Sequence, residues 1–374
     1  MENCSTLLEA TLQRAEAHLD RSFFGDAVMA ERLASVINCS SNRAGARLLM
    51  SCMLAKLHDR KADPRKPYTK IGTADCFSGR TYDERYIGEF ITQHTLPCNN
   101  TTAFLTPTLR NMDRTLKLNV SLVGRPVSMY QSALLILDDV HTGRVSAQDV
   151  LDESVRLLVL ERNAQQERLK TLLAGVRRNA DRHPLSSEDT VALMQQHLAI
   201  KGSSRLPVLI VAAAYRAAEE KLGERVLHLL GHNAADEQTG AVGDVQITLL
   251  NDDDVVTSYE MKDKPVTRGD IDRALQKIAA QGSCIQNYLF ITTEAAAEEV
   301  HGYARSRYDE TGGIEIAILD CLGFLRHFLH LFHRLRRGFL DHYQELVLAE
   351  AASAVSQPLK EAFLALRQAA ESAE

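Results

Sequence analysis

The chain lacks a Cys-x-x-Cys pair, a Gly-x-Gly-x-x-Gly or P-loop signature and a Gly-x-Ser-x-Gly elbow. It also has no apolar run near the roughly 20 residues of a membrane span. Each absence removes a class. Without the glycine signatures, dinucleotide and ATP chemistry have no support; without the elbow, neither has the hydrolase chemistry that depends on it. The seven cysteines (Cys4, Cys39, Cys52, Cys76, Cys98, Cys284 and Cys321) are scattered and odd in number. Lacking metal-ligand spacing, they point to reduced, mostly buried thiols and away from zinc. The start, Met1-Glu2-Asn3-Cys4, shows no basic-then-apolar export signal, so a cytoplasmic location without a membrane partner is expected. No internal repeat or low-complexity tract is visible. A basic surplus is missing too: the formal net charge is −6, which argues against a general nucleic-acid coat protein. It leaves room for an enzyme that gathers carboxylates and confines its basic residues to one cleft.

What is present is length and pattern. At 374 residues the chain is long enough for two cores. Leu7, Leu8, Ala10, Leu12, Ala15 and Leu19 recur at helical spacing over 4–20, as do Ala44, Leu48, Leu49, Cys52 and Leu54 over 41–58. Loop chemistry follows over 59–80, then a short helix over 81–93, an interruption at Asn99-Asn100-Thr101-Thr102 and a further segment around 105–118. Residues 127–178 read as helix broken at His141-Thr142-Gly143, and Ser186-Ser187-Glu188 opens another with an acidic first turn. Beyond about 204 the texture changes. An apolar helix over 207–230 is followed by Gly-rich connections and strands over 242–250, 255–261 and 287–292, with a helix over 268–280 between the last two. Residues 314–319 form a fourth strand candidate, and helices return over 321–347 and 357–372. This is an α-rich α/β protein: a mixed central sheet flanked by helices, with a large helical N-terminal region.

The chemistry lies on two of those strands. Side chains alternate along a strand, so Glu260 and Lys262 share one face while Tyr259 and Met261 share the other. In the preceding strand Asp244 shares a face with Gln246 and Thr248, opposite Val245, Ile247 and Leu249. If the strands pair, Asp244 and Glu260 converge on one cation, with a core behind the sheet and a site in front. Two carboxylates suit Mg²⁺, a hard ion that takes oxygen ligands, and Lys262 is placed to position or deprotonate a water. Lys264 follows on the same alternating face as a reserve. The bare Glu-x-Lys pattern also occurs at Glu219-Glu220-Lys221, inside a helix, where residues two apart do not share a face. The competing reading of Glu260 and Lys262 is a solvated edge strand. Glu219 falls on the row of Tyr215, Leu222 and Val226 and either completes a metal shell or marks the margin of an apolar face; Glu220 is the alternative.

At these residues the chain resembles the PD-(D/E)xK nuclease superfamily, with Gly243-Asp244 in place of Pro-Asp, over roughly 205–322. Upstream, the stretch from Cys76-Phe77-Ser78-Gly79-Arg80 to Asp83-Glu84-Arg85-Tyr86-Ile87 looks like the SacI family of type II restriction endonucleases. So do Leu96-Pro97-Cys98-Asn99 and Leu105-Thr106-Pro107-Thr108-Leu109-Arg110-Asn111. The resemblance implies Asp244, Glu260 and Lys262 as catalytic residues and Mg²⁺ as cofactor. It implies a homodimer that cuts double-stranded DNA at a short palindrome and leaves 5′-phosphates, since a two-fold protein matches a two-fold site. A DNA methyltransferase would be its genetic partner. Residues 1–200 would then serve DNA recognition and dimerisation, and 201–374 would hold the nuclease core. Two other readings stay open: a structure-specific repair or defence nuclease on the same core, and a DNA-binding protein whose nuclease core has decayed.

Several basic residues carry paired readings. Lys56, Arg60, Lys61, Arg65, Lys66 and Lys70 either grip phosphates or form a solvated loop diluted by Asp59 and Asp63. Arg80, Arg110 and Asn111 suit base edges, because Arg reads guanine and Asn reads adenine; Arg80 could equally pair with Asp83 or Glu84. His327, His330 and His333 recur every three residues beside Arg326, Arg334, Arg336 and Arg337, as a metal site or as one face of a basic amphipathic helix packed on the core.

Overall fold

The computed structural model describes residues 3–99, 101–120, 122–179, 183–229, 242–281 and 285–372. Asn100, Cys284 and the Gly-rich connection before Val242 lie outside them. Two compact units emerge, Met1–Glu167 and Arg168–Glu374, so the division falls earlier than the expected 200/201, within a single long helix. None of the described helices is long and apolar enough to cross a membrane.

The first unit is helical. Helices α1 (Cys4–Ala17), α2 (Ala27–Ile37), α3 (Ala44–His58) and α6 (Val127–His141) pack with the first part of α7 (Ala147–Arg178). α3 is its centre: every residue from Ala44 to Ala55 is buried. Helical backbone from Gly79 to Gln93 is continuous but irregular. Short α4 (Gly79–Tyr82) and α5 (Gly88–Gln93) flank one π turn, Asp83–Ile87. At the π turn Asp83 is wholly buried against Arg47, 2.7 Å away, and also accepts from Thr102 Oγ1 and the Ala103 amide. The segment over 105–118 follows a 3-10 turn, Ala103–Leu105, and forms turns and irregular backbone instead of a regular element.

The second unit is an α/β sandwich. α8 (Ser187–Leu198) starts at Ser186, whose side chain caps the Asp189 amide, and α9 (Leu206–Leu222) carries Pro207 in its first turn, where no amide hydrogen is needed. α9 is shorter than expected. Gly223 adopts φ 69° and closes it through its amide to the Glu219 carbonyl, a left-handed end that glycine tolerates best. The next residues form β1 (Glu224–Val226). β2 (Val245–Leu249) pairs antiparallel with β1 and with β3 (Val255–Lys262); β4 (Asn287–Thr292) and β5 (Glu315–Asp320) then add in parallel, in the order β1-β2-β3-β4-β5. Between the parallel strands run α10 (Arg268–Gln281) and α11 (Glu298–Glu310). After β5 come α12 (Cys321–Leu331), α13 (Arg336–Ala349) and α14 (Gln357–Ser372).

Both faces of the sheet are covered. Val245, Ile247, Tyr259 and Ile291 join the core with α8, α9 and α12–α14; Tyr288, Phe290, Ile316 and Ile318 join a separate core with α10 and α11. Two details therefore differ from the sequence reading. The Glu260 side of the sheet is not an open front: Ser258 on it is wholly buried. And the alternation along β2 fails past Ile247, where the register with β3 shifts; Thr248 becomes buried while Leu249 is 45% exposed.

Candidate active site

Continuing the β2–β3 register by one step sets Asp244 opposite Glu260. Asp244 lies just before β2, exposed, and its Oδ2 accepts the Met261 amide at 2.8 Å. Gly243 makes this approach feasible, since a Cβ there would sit 2.5 Å from Ser258 Oγ and 2.7 Å from the Tyr259 carbonyl oxygen. Glu260 and Lys262 share the face turned toward α10, as alternation requires. Lys262 Nζ donates to Glu260 Oε1 at 2.9 Å and lies 3.4 Å from Asp270. Glu260 Oε2 accepts from the buried Tyr288 hydroxyl at 3.1 Å, with Lys277 at 3.8 Å. The same hydroxyl lies 3.0 Å from the Val242 carbonyl.

Electrostatically the cluster is balanced. Burial pulls the Lys262 ammonium down, but its bond to Glu260 and the charges of Glu260 and Asp270 outweigh this and leave it above its ordinary value. Such a lysine holds its charge at neutral pH and serves positioning more readily than proton removal. Asp270 was not singled out from the sequence. Burial raises its pKa, but bonds to Thr267, the Lys262 charge and Arg273 prevail and hold it at about 2. Its signal was available: Thr267-x-x-Asp270 is a capping box, in which each side chain takes the other's amide at 2.9–3.3 Å.

A cavity of about 650 Å³ opens at this end of β3, bounded by Asp244, Lys262, Lys264 and Asp270 and, from the start of α9, by Arg205 and Val208. The structure thus gathers Asp244, Lys262 and the exposed Lys264 around one space, with Glu260 bonded just behind. It does not bring Glu219 there. Val208 marks the near end of α9, and Glu219 lies eleven residues on, about 16 Å along the helix at 1.5 Å per residue. α9 leads through Gly223 into β1, whose Glu224 pairs with Leu249, the far end of β2 from Asp244. Glu220 is on the same remote turn and exposed. Among the described residues, no three His, Cys, Asp or Glu side chains are grouped to hold a metal by themselves.

The other candidates divide. Arg65 is held by Asp63 and Asp138 and Lys66 by Asp75, all within 2.7–3.0 Å, so these two basic residues are spent on the fold. Arg80 pairs with Glu84 at 2.8 Å, the second of its two readings, yet it lines one cleft of the first unit with Arg110 and Asn111. His327, His330 and His333 do not converge. Phe328 and Leu329 are buried while His330 and Arg326 both hold Glu188, as on an amphipathic helix.

Fold and site together define a class: an α/β domain whose carboxylates and lysine collect where two antiparallel strands meet, beside a parallel extension of the sheet. Residues 183–294 match the SacI restriction endonuclease C-terminal domain. The chain resembles a type II restriction endonuclease of the SacI family over this span, which runs from the approach to α8 through β4 and contains Asp244, Glu260 and Lys262. No curated protein matches the chain.

Proposed function

We propose that this protein is a type II restriction endonuclease that hydrolyses phosphodiester bonds of double-stranded DNA at a short palindrome, with Mg²⁺, leaving 5′-phosphate ends. The observation that carries the proposal is the meeting of Asp244 with the Glu260–Lys262 pair at one end of the β2–β3 ladder. The order helix, three antiparallel strands, helix, parallel strand from α9 to β4 agrees with a PD-(D/E)xK core.

The donor set fits the ion. Mg²⁺ binds through one or two carboxylates plus waters and substrate phosphate, not through an all-protein cage, and Asp244 and Glu260 are two such carboxylates, while the neighbouring Asp270 is engaged by Lys262, Arg273 and Thr267. The chemistry Mg²⁺ supplies in such a site is Lewis-acid polarisation of the phosphate and a more acidic bound water. The chain's own residues do the rest. Asp244, fixed by the Met261 amide, and Glu260, fixed by Tyr288, present oxygen at set positions; Lys262 holds positive charge where the phosphate gains negative charge; Lys264 adds a second cation at the rim. A two-fold site calls for a homodimer, and a companion DNA methyltransferase would protect the host genome.

The test is incubation of purified protein with plasmid DNA and Mg²⁺ beside an Asp244→Ala control. A fixed fragment pattern that disappears in the control is expected. A smear or end-trimming would support a repair or defence nuclease instead, and binding without cleavage in both Mg²⁺ and Mn²⁺ would support a decayed core.

A further inference from the structure

The first unit carries a cleft of about 340 Å³ whose wall includes Tyr68, Lys70, Arg80, Phe104, Arg110 and Asn111. It lies outside the 183–294 match. Among the described residues its wall holds three cations and no carboxylate, in a chain whose net charge is −6. Neighbouring basic residues are engaged: Arg65, Lys66 and Arg80 each have a carboxylate within 3.0 Å. Lys70 and Arg110 are exposed, and among the described residues neither has an ion pair or side-chain hydrogen bond.

The cleft is also built. Tyr68 and Phe104 pack edge to face, with centroids 5.8 Å apart. The Tyr68 hydroxyl donates to the Leu109 carbonyl at 3.0 Å, the Arg110 amide to Thr106 at 2.9 Å, and the Leu116 amide to Arg65 at 2.8 Å. Asn111 is held at φ 58°, a left-handed conformation that Asn tolerates better than most side chains. Asp83 binds the π turn to Thr102 and Ala103, fixing the segment that delivers Phe104. Arg110 and Asn111 are thus presented side by side from a short, braced turn.

We infer that this cleft reads the DNA sequence: Arg110 and Asn111 contact base edges, Lys70 contacts a phosphate, and Arg80, closed off by Glu84, does not read. The inference rests on the nuclease reading for its choice of duplex DNA. Its chemistry is that of paired hydrogen bonds, Arg to guanine and Asn to adenine, beside a sequence-blind phosphate contact. It separates two kinds of residue by what their loss should do.

The experiment is selection by binding, without divalent metal, from a duplex pool with a randomised centre, using the full chain and its Arg110→Ala, Lys70→Ala and Arg80→Ala variants. All three positions are exposed, and matching thermal melts confirm folding. Wild type should enrich one motif. Arg110→Ala should lose preference at one base-pair position and its symmetry mate, with discrimination falling roughly 10- to 100-fold. Lys70→Ala should keep the motif but lower affinity for all sequences, reducing the slope of log affinity against log salt by about one. Arg80→Ala should keep the motif. An unchanged motif with Arg110→Ala overturns the inference, as does a wild type that enriches no motif. The plasmid cleavage assay reports on the nuclease reading separately: sequence-specific cutting with an unchanged Arg110→Ala motif removes the cleft's role and leaves the enzyme.

Discussion

The Asp244 carboxylate accepts the backbone N–H of Met261, the residue between Glu260 and Lys262, at 2.8 Å. The acid at the start of β2 is therefore fastened to the peptide that separates the two chemical residues of β3. Asp244, just before β2, and Glu260, in β3, stand 16 residues apart in the chain yet are held on one support.

That contact predicts different outcomes for two changes at one position. Asp244→Asn keeps an oxygen for the Met261 amide but loses the charge; Asp244→Ala loses both. Cleavage should fall by at least ~10²-fold in each, whereas only Ala should also lower stability, by about 1 kcal/mol for the lost hydrogen bond. Parallel kinetics and urea titrations decide. Wild-type cleavage by Asp244→Asn would rule this carboxylate out as a metal ligand.

Tyr288 supports Glu260 from inside the sheet, with its ring 1% exposed. Tyr288→Phe preserves that packing and removes the hydroxyl. If Glu260 is a ligand, the apparent Mg²⁺ requirement should rise by roughly 10- to 100-fold, and excess metal should restore part of the rate. A purely structural tyrosine would lower the melting temperature and leave the metal titration where it was.

Gly243 supplies a steric test. Its added Cβ would fall 2.5 Å from Ser258 Oγ and 2.7 Å from the Tyr259 carbonyl, and backbone cannot retreat as a flexible side chain can. Gly243→Ala should part β2 from β3 at the Asp244 end and cost on the order of 1–3 kcal/mol, with cleavage falling further than stability alone explains. Pro, which the PD-(D/E)xK pattern usually carries there, should do no better in this chain. Full activity in Gly243→Ala would show that the ladder end adapts.

Much of the second unit was legible because its elements repeat one period cleanly. Residues 287–292 and 357–372 were bounded correctly as strand and helix. The shared face of Glu260 and Lys262 followed from strand alternation, whereas the approach of Asp244 depended on β2 pairing with β3. Failures came where local geometry overrides the period. Gly223 stopped α9 eight residues before the expected end, and a three-residue strand such as β1 is too short to show alternation. The register shift after Ile247 reversed Leu249 and Thr248, an event that no hydropathy pattern records. α2 was passed over despite Met29, Leu33, Val36 and Ile37 at helical spacing behind Asp26, whose side chain caps the Val28 amide. Glu219 was misplaced because its helix face says nothing about position along the axis. Distance along an element needs the topology.

His197 sets a pH limit on the second unit. It is wholly buried; Nε2 lies 3.0 Å from the Leu359 carbonyl and Nδ1 3.0 Å from the Tyr343 hydroxyl. A carbonyl can only accept, so Nε2 carries the proton, and Nδ1 accepts from Tyr343. The neutral ring satisfies both partners. Burial pushes its pKa down from 6.5 to about 4, outweighing the Leu359 bond that favours the charged form. In the unfolded chain the ring regains its ordinary value and binds a proton first, so the unfolded state gains protons as pH falls and stability drops. The loss begins near the unfolded value, 6.5, and is complete once the folded ring also protonates near 4. Its full size is about 3 kcal/mol at 1.36 kcal/mol per unit, of which about 2 kcal/mol falls between pH ~7 and ~5. Urea titrations at those two pH values should show the difference in wild type. His197→Gln, which cannot titrate, should be less stable near pH 7 and flatter with pH. An equal pH slope in wild type and His197→Gln would assign the acid sensitivity to other groups.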